Sequence, residues 1–326
     1  MGQSGSAAEA FLTRFTSWAS GRSDVRGALV VGSRARTVEP ADPLSDVDLM
    51  VVTTRPRFYL STREWLQELG KPVLACMYST IVGTRTVISV DFNGGVVPLH
   101  VDFAIVGNFE SRWGGLLLRL LARRPTAMRL LPRGLADQIE SWFDALGKGA
   151  PRVLVDKHGA ASRMFGFAPP RREPTEPTTG EWNDAVNLFL SLCLWKSKLL
   201  RRGERWMAAQ LADRQMKDRL LGMLEWHARA TRRGAADTWY AGRFVERWSD
   251  PRAVEALPET FGRYDDDDAW RSLFATLDLF SLLGRETAVR TGRAWPDAAE
   301  NRVRGWMQHR FDDSRAAGSR ADPPDR

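Results

Sequence analysis

Three aspartates stand where carboxylates are well placed to bind a metal ion. Asp46 and Asp48 are two residues apart at the start of an apolar strand, so both side chains point to one face of it. Two neighbouring carboxylates repel each other, and a bound divalent cation relieves that repulsion. Asp102 lies within a later apolar strand and could supply a third carboxylate. The pattern predicts a metal site with these three aspartates as ligands and as catalytic residues.

A Gly-Ser turn precedes the aspartate pair. The short apolar strand 28–31 is followed directly by Gly32 and Ser33. Gly32 has no Cβ and lets the backbone approach a ligand, while the Ser33 hydroxyl and nearby amides can hold phosphate oxygens. Three carboxylates and a triphosphate form a site for two Mg²⁺ ions, which activate the attacking oxygen and stabilise the leaving pyrophosphate.

The elements that must position these residues fall into two halves of different character. Hydrophobic periodicity predicts an amphipathic first helix over 7–20, then strands over 28–31, 47–52, 81–92 and 96–106 that can form one mixed sheet. Beyond residue 180 the periodicity is helical, over 182–202, 208–232, 270–280 and 299–311. The predicted fold is therefore α+β, with a mixed sheet and flanking helices in the N-terminal domain and a helical bundle after it. The predicted domains are residues 1–150 and 151–312, with a disordered polar tail over 313–326.

The composition excludes several classes of protein. A chain of 326 residues with 43% hydrophobic and 27% charged residues is globular rather than disordered. Two cysteines cannot form a disulfide framework, and no apolar run is long enough to span a bilayer. The net charge of +7 would suit an anionic partner, but the basic residues are dispersed among acids. The four histidines are scattered and are interpreted as structural or surface residues: His100, His158, His227 and His309.

The two motifs at the front of the chain resemble a known signature. Gly32-Ser33-Arg34 followed by Ser45-Asp46-Val47-Asp48-Leu49 is similar to that of the nucleotidyltransferase superfamily with the polymerase-β-like fold. Further stretches resemble the streptomycin (aminoglycoside 6-) adenylyltransferase family, and the resemblance covers most of residues 8–311. These stretches are residues 153–157, 182–189, 198–204, 219–226 and 270–274.

The resemblance implies an antibiotic-modifying reaction, the transfer of AMP from ATP to a hydroxyl of an aminoglycoside. It also implies an N-terminal catalytic domain and a helical domain that closes over the substrate. The three aspartates fall on the family's Mg²⁺ ligands. Ser33 and Arg34 fall on its triphosphate loop, and Lys198 falls on a lysine of its long helix.

Side chains of the long predicted helix offer further contacts. Trp195, Lys198 and Arg202 share one helical face, so the two cations are candidates to bind the triphosphate. Asp184 lies about 21 Å from Lys198 along that face and could contact the acceptor. A general base must reach the acceptor hydroxyl. Asp184 is the first candidate for this role, followed by Asp102 and then Glu181.

Two departures from the family pattern bear on the acceptor. Leu188 and Asn183 stand where the family has acids, although Asp184 keeps one. Pocket carboxylates are expected to bind a polycationic aminoglycoside. The departures therefore put streptomycin in question as the acceptor, but they do not affect the predicted metal site. The acidic run 265–268 would restore negative potential only if it faced the substrate, and such a run is typical of an exposed loop.

Two alternatives remain open. One is nucleotidyl transfer to a protein or to the end of a nucleic acid, which the basic charge would fit. The other is a non-catalytic nucleotide-binding protein, which would have no need for three carboxylates. The favoured interpretation is a cytoplasmic, monomeric enzyme that acts on a small, hydroxylated, cationic substrate and has neither a membrane nor a nucleic acid as its partner.

Overall fold

A computed structural model describes residues 3–35, 41–79, 86–92, 98–107, 151–165, 176–232, 238 and 240–321. The chain forms two compact units, Met1–Arg172 and Glu173–Arg326. The predicted boundary at residue 150 lies too early, because a strand over Arg152–Asp156 pairs with the first strand and so belongs to the N-terminal sheet.

The N-terminal unit contains a six-stranded mixed sheet with the strand order β3-β4-β5-β2-β1-β6. Strands β2 and β5 are parallel, and the other neighbours are antiparallel. The strands that sequence periodicity predicts are present, whereas β3 and β6 were not predicted. The six strands are β1 (Val25–Val31), β2 (Val47–Thr53), β3 (Pro72–Ser79), β4 (Thr86–Phe92), β5 (Leu99–Gly107) and β6 (Arg152–Asp156).

The two faces of the sheet carry alternate residues of each strand. Val47, Leu49 and Val51 of β2 join a large core with the first helix and its aromatic side chains. Met50 and Val52 face the other way, into a smaller core under a short helix after β6. In the described part of this unit the helices are α1 (Gln3–Gly21), α2 (Pro56–Ser61), α3 (Glu64–Gln67) and α4 (Ala160–Phe165). The predicted first helix is confirmed.

The C-terminal unit is helical, as predicted. A π-helical segment, Leu211–Met216, lies between α6 and α7, so the predicted helix over 208–232 contains one widened region. The helices are α5 (Thr179–Arg201), α6 (Arg205–Gln210), α7 (Lys217–Thr231), α8 (Val245–Trp248), α9 (Pro251–Ala256), α10 (Asp266–Thr291) and α11 (Asp297–Ala321). The expected α+β architecture is confirmed.

The last helix is longer than predicted. Helix α11 continues to Ala321, where a disordered tail was expected from residue 313. Two side-chain pairs at a spacing of four support this extension: Gln308 donates to Asp312 Oδ1 at 2.9 Å, and His309 lies 3.1 Å from Asp313. Residues 322–326 lie outside the described chain. None of the helices in the described ranges combines the length and the apolar character needed to cross a membrane.

Candidate functional site

Strand pairing brings two of the predicted aspartates side by side. Asp48 and Asp102 are register partners on the parallel strands β2 and β5. Their neighbours Val47 and Val101 are both fully buried in the large core, so the aspartates point to the opposite face of the sheet. Asp46 directly precedes β2 and shares the face of Asp48. The structure therefore places all three predicted carboxylates on one face.

Gly32 closes the space behind Asp48. It follows β1, begins a 3₁₀ turn over Gly32–Ala35 and has a positive φ of 67°. A Cβ at this position would overlap Asp48 Oδ2 and lie 2.8 Å from Asp48 Cγ. Only glycine combines this backbone conformation with this contact. Ser33, the next residue of the turn, is half-buried.

Arg34 holds the segment that leads into β2. Its guanidinium donates to the carbonyl of Asp46 at 3.0 Å and to the carbonyl of Ser45 at 2.7 Å. Burial lowers the pKa of Arg34, and nearby acids including Asp46 oppose that shift. The family resemblance implies a triphosphate contact for this arginine; in the structure its contacts hold the backbone that carries Asp46.

His100 is a site residue that the sequence reasoning missed. Its Nδ1 lies 2.8 Å from Asp91 Oδ1 on β4, and its Nε2 lies 3.2 Å from Asp102 Oδ1. Burial lowers the pKa of His100, but the hydrogen bond with Asp91 and the charges of Asp102, Asp46 and Asp91 raise it above its ordinary value overall. The available signal was its spacing of two from Asp102, which puts both side chains on one strand face.

The chemistry of this donor set fits a hard divalent cation, because Mg²⁺ prefers carboxylate oxygens. Among the described residues, the three aspartates do not gather one ligand oxygen each within 4.8 Å of one another. The backbone register brings Asp48 and Asp102 side by side, and the side chain of Asp102 contacts His100.

A second group of possible ligand atoms occurs in the C-terminal unit, at His227, Asp250 and Glu286. Arg252 lies between the two carboxylates, 3.0 Å from Asp250 Oδ2 and 2.9 Å from Glu286 Oε1. The hydrogen bond from Arg252 lowers the pKa of Glu286 to about 2, and His227 contributes to this shift. Cationic side chains already satisfy these acids, so the group is best described as an ion-pair network between helices.

The remaining predicted site residues lie in the C-terminal unit, on α5 or, for Arg202, directly after it. Asp184, Lys198 and Arg202 are all exposed, and Arg202 lies 3.6 Å from Glu204. The buried lysine of this helix is Lys196, which is 3% exposed and donates to Ser272 Oγ at 3.2 Å. Burial, with the charge of Lys217, lowers the pKa of Lys196 to about 8.

Several acids of this unit hold helix ends. Glu181, the third candidate for the general base, forms a capping box with Thr178 at the start of α5. The acidic run 265–268 begins α10: Asp265 caps it, Asp266 pairs with Arg205 at 2.5 Å, and Asp268 pairs with Arg271 at 2.6 Å. These contacts engage Asp265, Asp266 and Asp268 without a substrate.

Comparisons with known proteins show which proteins this chain is similar to. A crystal structure of an aminoglycoside 6-adenyltransferase from Bacillus subtilis is 17% identical, covering 91% of this chain and 96% of that one, with a TM-score of 0.39. Aminoglycoside 6-adenylyltransferase of Bacillus subtilis (strain 168) is 20% identical over 278 residues, which are 85% of this chain and 88% of that protein. The family model for streptomycin adenylyltransferase matches residues 7–89 and 136–310, most of the chain. The chain therefore belongs to the streptomycin adenylyltransferase family and is an aminoglycoside adenylyltransferase-like enzyme.

Proposed function

We propose that this enzyme transfers AMP from ATP to a hydroxyl of an aminoglycoside-like acceptor, in a reaction that requires Mg²⁺. The pairing of Asp48 with Asp102, with Asp46 on the same face and Gly32 against Asp48, is the observation that supports it most. Family membership supports the reaction class. The relative from Bacillus subtilis, named an aminoglycoside 6-adenylyltransferase, supports the acceptor class.

Each predicted site residue of the N-terminal unit has a role in this proposal. Asp46, Asp48 and Asp102 would hold Mg²⁺, which when bound supplies positive charge to the phosphates and to the attacking oxygen. The turn over Gly32–Ala35 presents backbone amides and the Ser33 hydroxyl to the triphosphate. Arg34 keeps the Asp46 backbone in place, and its remaining N–H groups are candidates for a phosphate contact.

The proposed chemistry is a single displacement at the α-phosphorus of ATP. The acceptor oxygen forms a bond to this phosphorus, the bond from the phosphorus to the bridging oxygen breaks, and pyrophosphate leaves with the electron pair. The hydroxyl proton passes to a general base, for which we propose the exposed carboxylate of Asp184. Lys198 and Arg202 are proposed to attract the triphosphate. Because ATP is the donor, we place the reaction in the cytoplasm.

The helical surface beside Asp184 limits the choice of acceptor. Leu188 follows Asp184 by one helical turn and is 45% exposed, and Asn183 is exposed as well. A family member that binds a polycation with acids at these positions would lose attraction from both changes. We therefore propose an aminoglycoside-like acceptor of lower positive charge, or one bound through fewer cationic groups.

A labelling experiment tests the proposed reaction. Purified protein is incubated with ATP labelled on the α-phosphate, Mg²⁺ and a panel of aminoglycosides, and the products are identified by mass spectrometry. The expected product is one acceptor heavier by an AMP group, with an equal amount of pyrophosphate. Labelled RNA or labelled protein in place of a labelled drug would refute the proposed acceptor class. The absence of any transfer would favour a non-catalytic nucleotide-binding protein.

A charge substitution tests the acceptor surface. Leu188→Glu restores an acid on the Asp184 face and is expected to lower KM for a cationic acceptor without changing KM for ATP. The matched control is Leu282→Glu, since Leu282 is 41% exposed on α10 of the same unit. An equal effect of the two substitutions would show that only the net charge matters and would contradict a local acceptor site.

A further inference from the structure

Two lysines of the C-terminal unit lie inside it without a carboxylate partner. Lys196 of α5 is 3% exposed, and Lys217, the first residue of α7, is partly buried. Neither ammonium group forms an ion pair with a carboxylate of the described residues. Buried charges in proteins are normally paired or bound to an ion, so these two amines are candidates for an ion site.

The two ammonium groups are the ends of one buried polar network. Lys217 Nζ donates to the Thr260 carbonyl at 2.6 Å, and Lys196 Nζ donates to Ser272 Oγ at 3.2 Å. Thr276 Oγ1 joins the two ends, because it lies 3.3 Å from the Thr260 carbonyl and 2.6 Å from the Ser272 carbonyl. The three hydroxyl residues are all almost fully buried. We call these five residues the lysine network.

The network leaves most donors of both amines unused. An ammonium group carries three N–H donors. Over the described ranges of the chain, Lys196 Nζ has one protein acceptor, Ser272 Oγ, and Lys217 Nζ has one, the Thr260 carbonyl. The Ser272 hydroxyl donates to the Ala269 carbonyl at 3.0 Å, so it accepts from Lys196 and cannot compensate its charge. Buried donors are normally hydrogen-bonded, so both amines can take a further acceptor.

The charges that face the network are mostly positive. Burial and then the charge of Lys217 lower the pKa of Lys196 to about 8, and Arg271 acts in the same direction. Burial also lowers the pKa of Lys217 to about 8, against the opposing charge of the exposed Asp213. Burial raises the pKa of the Cys193 thiol, which therefore stays neutral. At pH 7 both amines are still mainly protonated, and an anion between them would offset their repulsion.

A cavity of about 410 Å³ borders the network at both ends. Phe261 and Gly262 line it. Lys217 Nζ lies 4.5 Å from the centre of the Phe261 ring, and a Cβ on Gly262 would lie 2.5 Å from Ser272 Oγ. The cavity therefore gives a ligand a route to the two amines.

The wall of this cavity does not repel an anion. It carries two acids and two arginines, Glu259, Asp268, Arg263 and Arg271. Arg271 is paired with both acids, 2.5 Å from Glu259 Oε2 and 2.6 Å from Asp268 Oδ1. Lys196 beyond the wall is almost fully buried among closely packed atoms, so the site suits a small ion better than an organic ligand.

We propose that Lys196 and Lys217 bind a small inorganic anion of the chloride class inside the C-terminal unit. The anion accepts hydrogen bonds from both ammonium groups, while Ser272 and Thr260 keep their present contacts. It acts as a structural ion that ties α5 to the start of α7. The proposal is independent of AMP transfer, because no residue of the lysine network takes part in the proposed reaction.

Thermal melts of the full chain at pH 7 test this site, with sodium chloride compared with sodium gluconate at equal ionic strength. An ion that binds only the folded protein stabilises it in proportion to the logarithm of its concentration. We expect each tenfold increase in chloride above its dissociation constant to raise Tm by about 2–4 °C. Gluconate is too large for the site and should lack this effect. Broadening of the chloride magnetic resonance line measures binding independently.

Two variants each remove one amine of the site. Lys196→Met and Lys217→Met should abolish the difference between chloride and gluconate. The matched control is Arg201→Met, which removes an exposed charge at the end of α5 and should keep the difference. Lys196→Met also removes a buried charge, so it should be at least as stable as the wild type in gluconate. In the wild type the difference should disappear at about pH 10, where the amines are neutral.

Three results would overturn the proposal. The first is equal melting temperatures of the wild type in chloride and gluconate. The second is a chloride effect that persists in Lys196→Met, and the third is one that Arg201→Met loses as well, since either would indicate a general effect of salt. If a lysine variant does not fold, the wild type alone decides: line broadening that is absent at pH 7, or unchanged at pH 10, would refute the site.

Discussion

Replacing Gly32 with alanine is the most informative change at the turn after β1. The new methyl group would overlap Asp48 Oδ2, so the carboxylate of Asp48 must move. A left-handed backbone conformation costs a non-glycine residue about 1–2 kcal/mol, which lowers the free energy of unfolding. A displacement of a catalytic group by about 1 Å can reduce the rate about 100-fold. We therefore expect a modest loss of stability together with a large loss of AMP transfer.

The matched control separates backbone strain from displacement of Asp48. Gly292, the residue after α10, has the same φ of 67°, and a Cβ there would meet no atom within 4 Å. Gly292→Ala should therefore lower stability by a similar amount and leave transfer unchanged. Chemical denaturation gives the free energies of unfolding, and initial rates of labelled AMP transfer give the activity. Equal activity of the two variants would refute the argument that the turn shapes the metal site.

Three further changes test the remaining contacts. Arg34→Lys keeps the charge but loses the fork that holds two carbonyls, so transfer should fall nearly as far as in Arg34→Ala; full activity of the lysine variant would indicate a charge role alone. Removing a side chain that orients a metal ligand typically costs about 10- to 100-fold in metal affinity or activity. His100 contacts Asp102, so we expect His100→Ala to reduce AMP transfer or Mg²⁺ affinity by about this factor, with little change in the melting temperature. Lys196 has a folded-state pKa of about 8, below the unfolded value of 10.5. Between pH 8 and pH 10.5 the unfolded chain therefore binds more protons than the folded chain, and the free energy of unfolding should rise with pH across that window. Lys196→Met should therefore stabilise the protein at pH 7, by up to about 3 kcal/mol, and lose that advantage by pH 10.5, whereas the exposed control Lys198→Met should show neither effect.

The sequence was most informative where local periodicity alone fixes the direction of a side chain. The spacing of two between Asp46 and Asp48 predicted their shared face, and the structure shows β2 alternating between the two cores. The adjacency of β2 and β5, which brings Asp102 to Asp48, depends on the order of strands in the sheet. Local pattern does not determine that order.

Other features depended on contacts between distant parts of the chain. The helical face shared by Trp195, Lys198 and Arg202 drew attention to Lys198, but the buried lysine is Lys196, whose position depends on packing against α10. The domain boundary was misplaced because β6 reaches the sheet only by pairing with β1. His100 was interpreted as a structural or surface residue; its contact with Asp91 depends on the register in which β4 pairs with β5, which local pattern does not determine.

Direct counting of bound divalent ions tests the central claim, that Asp46, Asp48 and Asp102 hold the metal. Mn²⁺ replaces Mg²⁺ in the measurement, and electron paramagnetic resonance counts the bound ions with a non-hydrolysable ATP analogue present. The account predicts two ions per chain in the wild type, loss of binding in Asp48→Asn, and unchanged binding in Glu286→Gln, which disrupts the other group of possible ligands. Unchanged binding in Asp48→Asn, or loss of binding in Glu286→Gln instead, would contradict it.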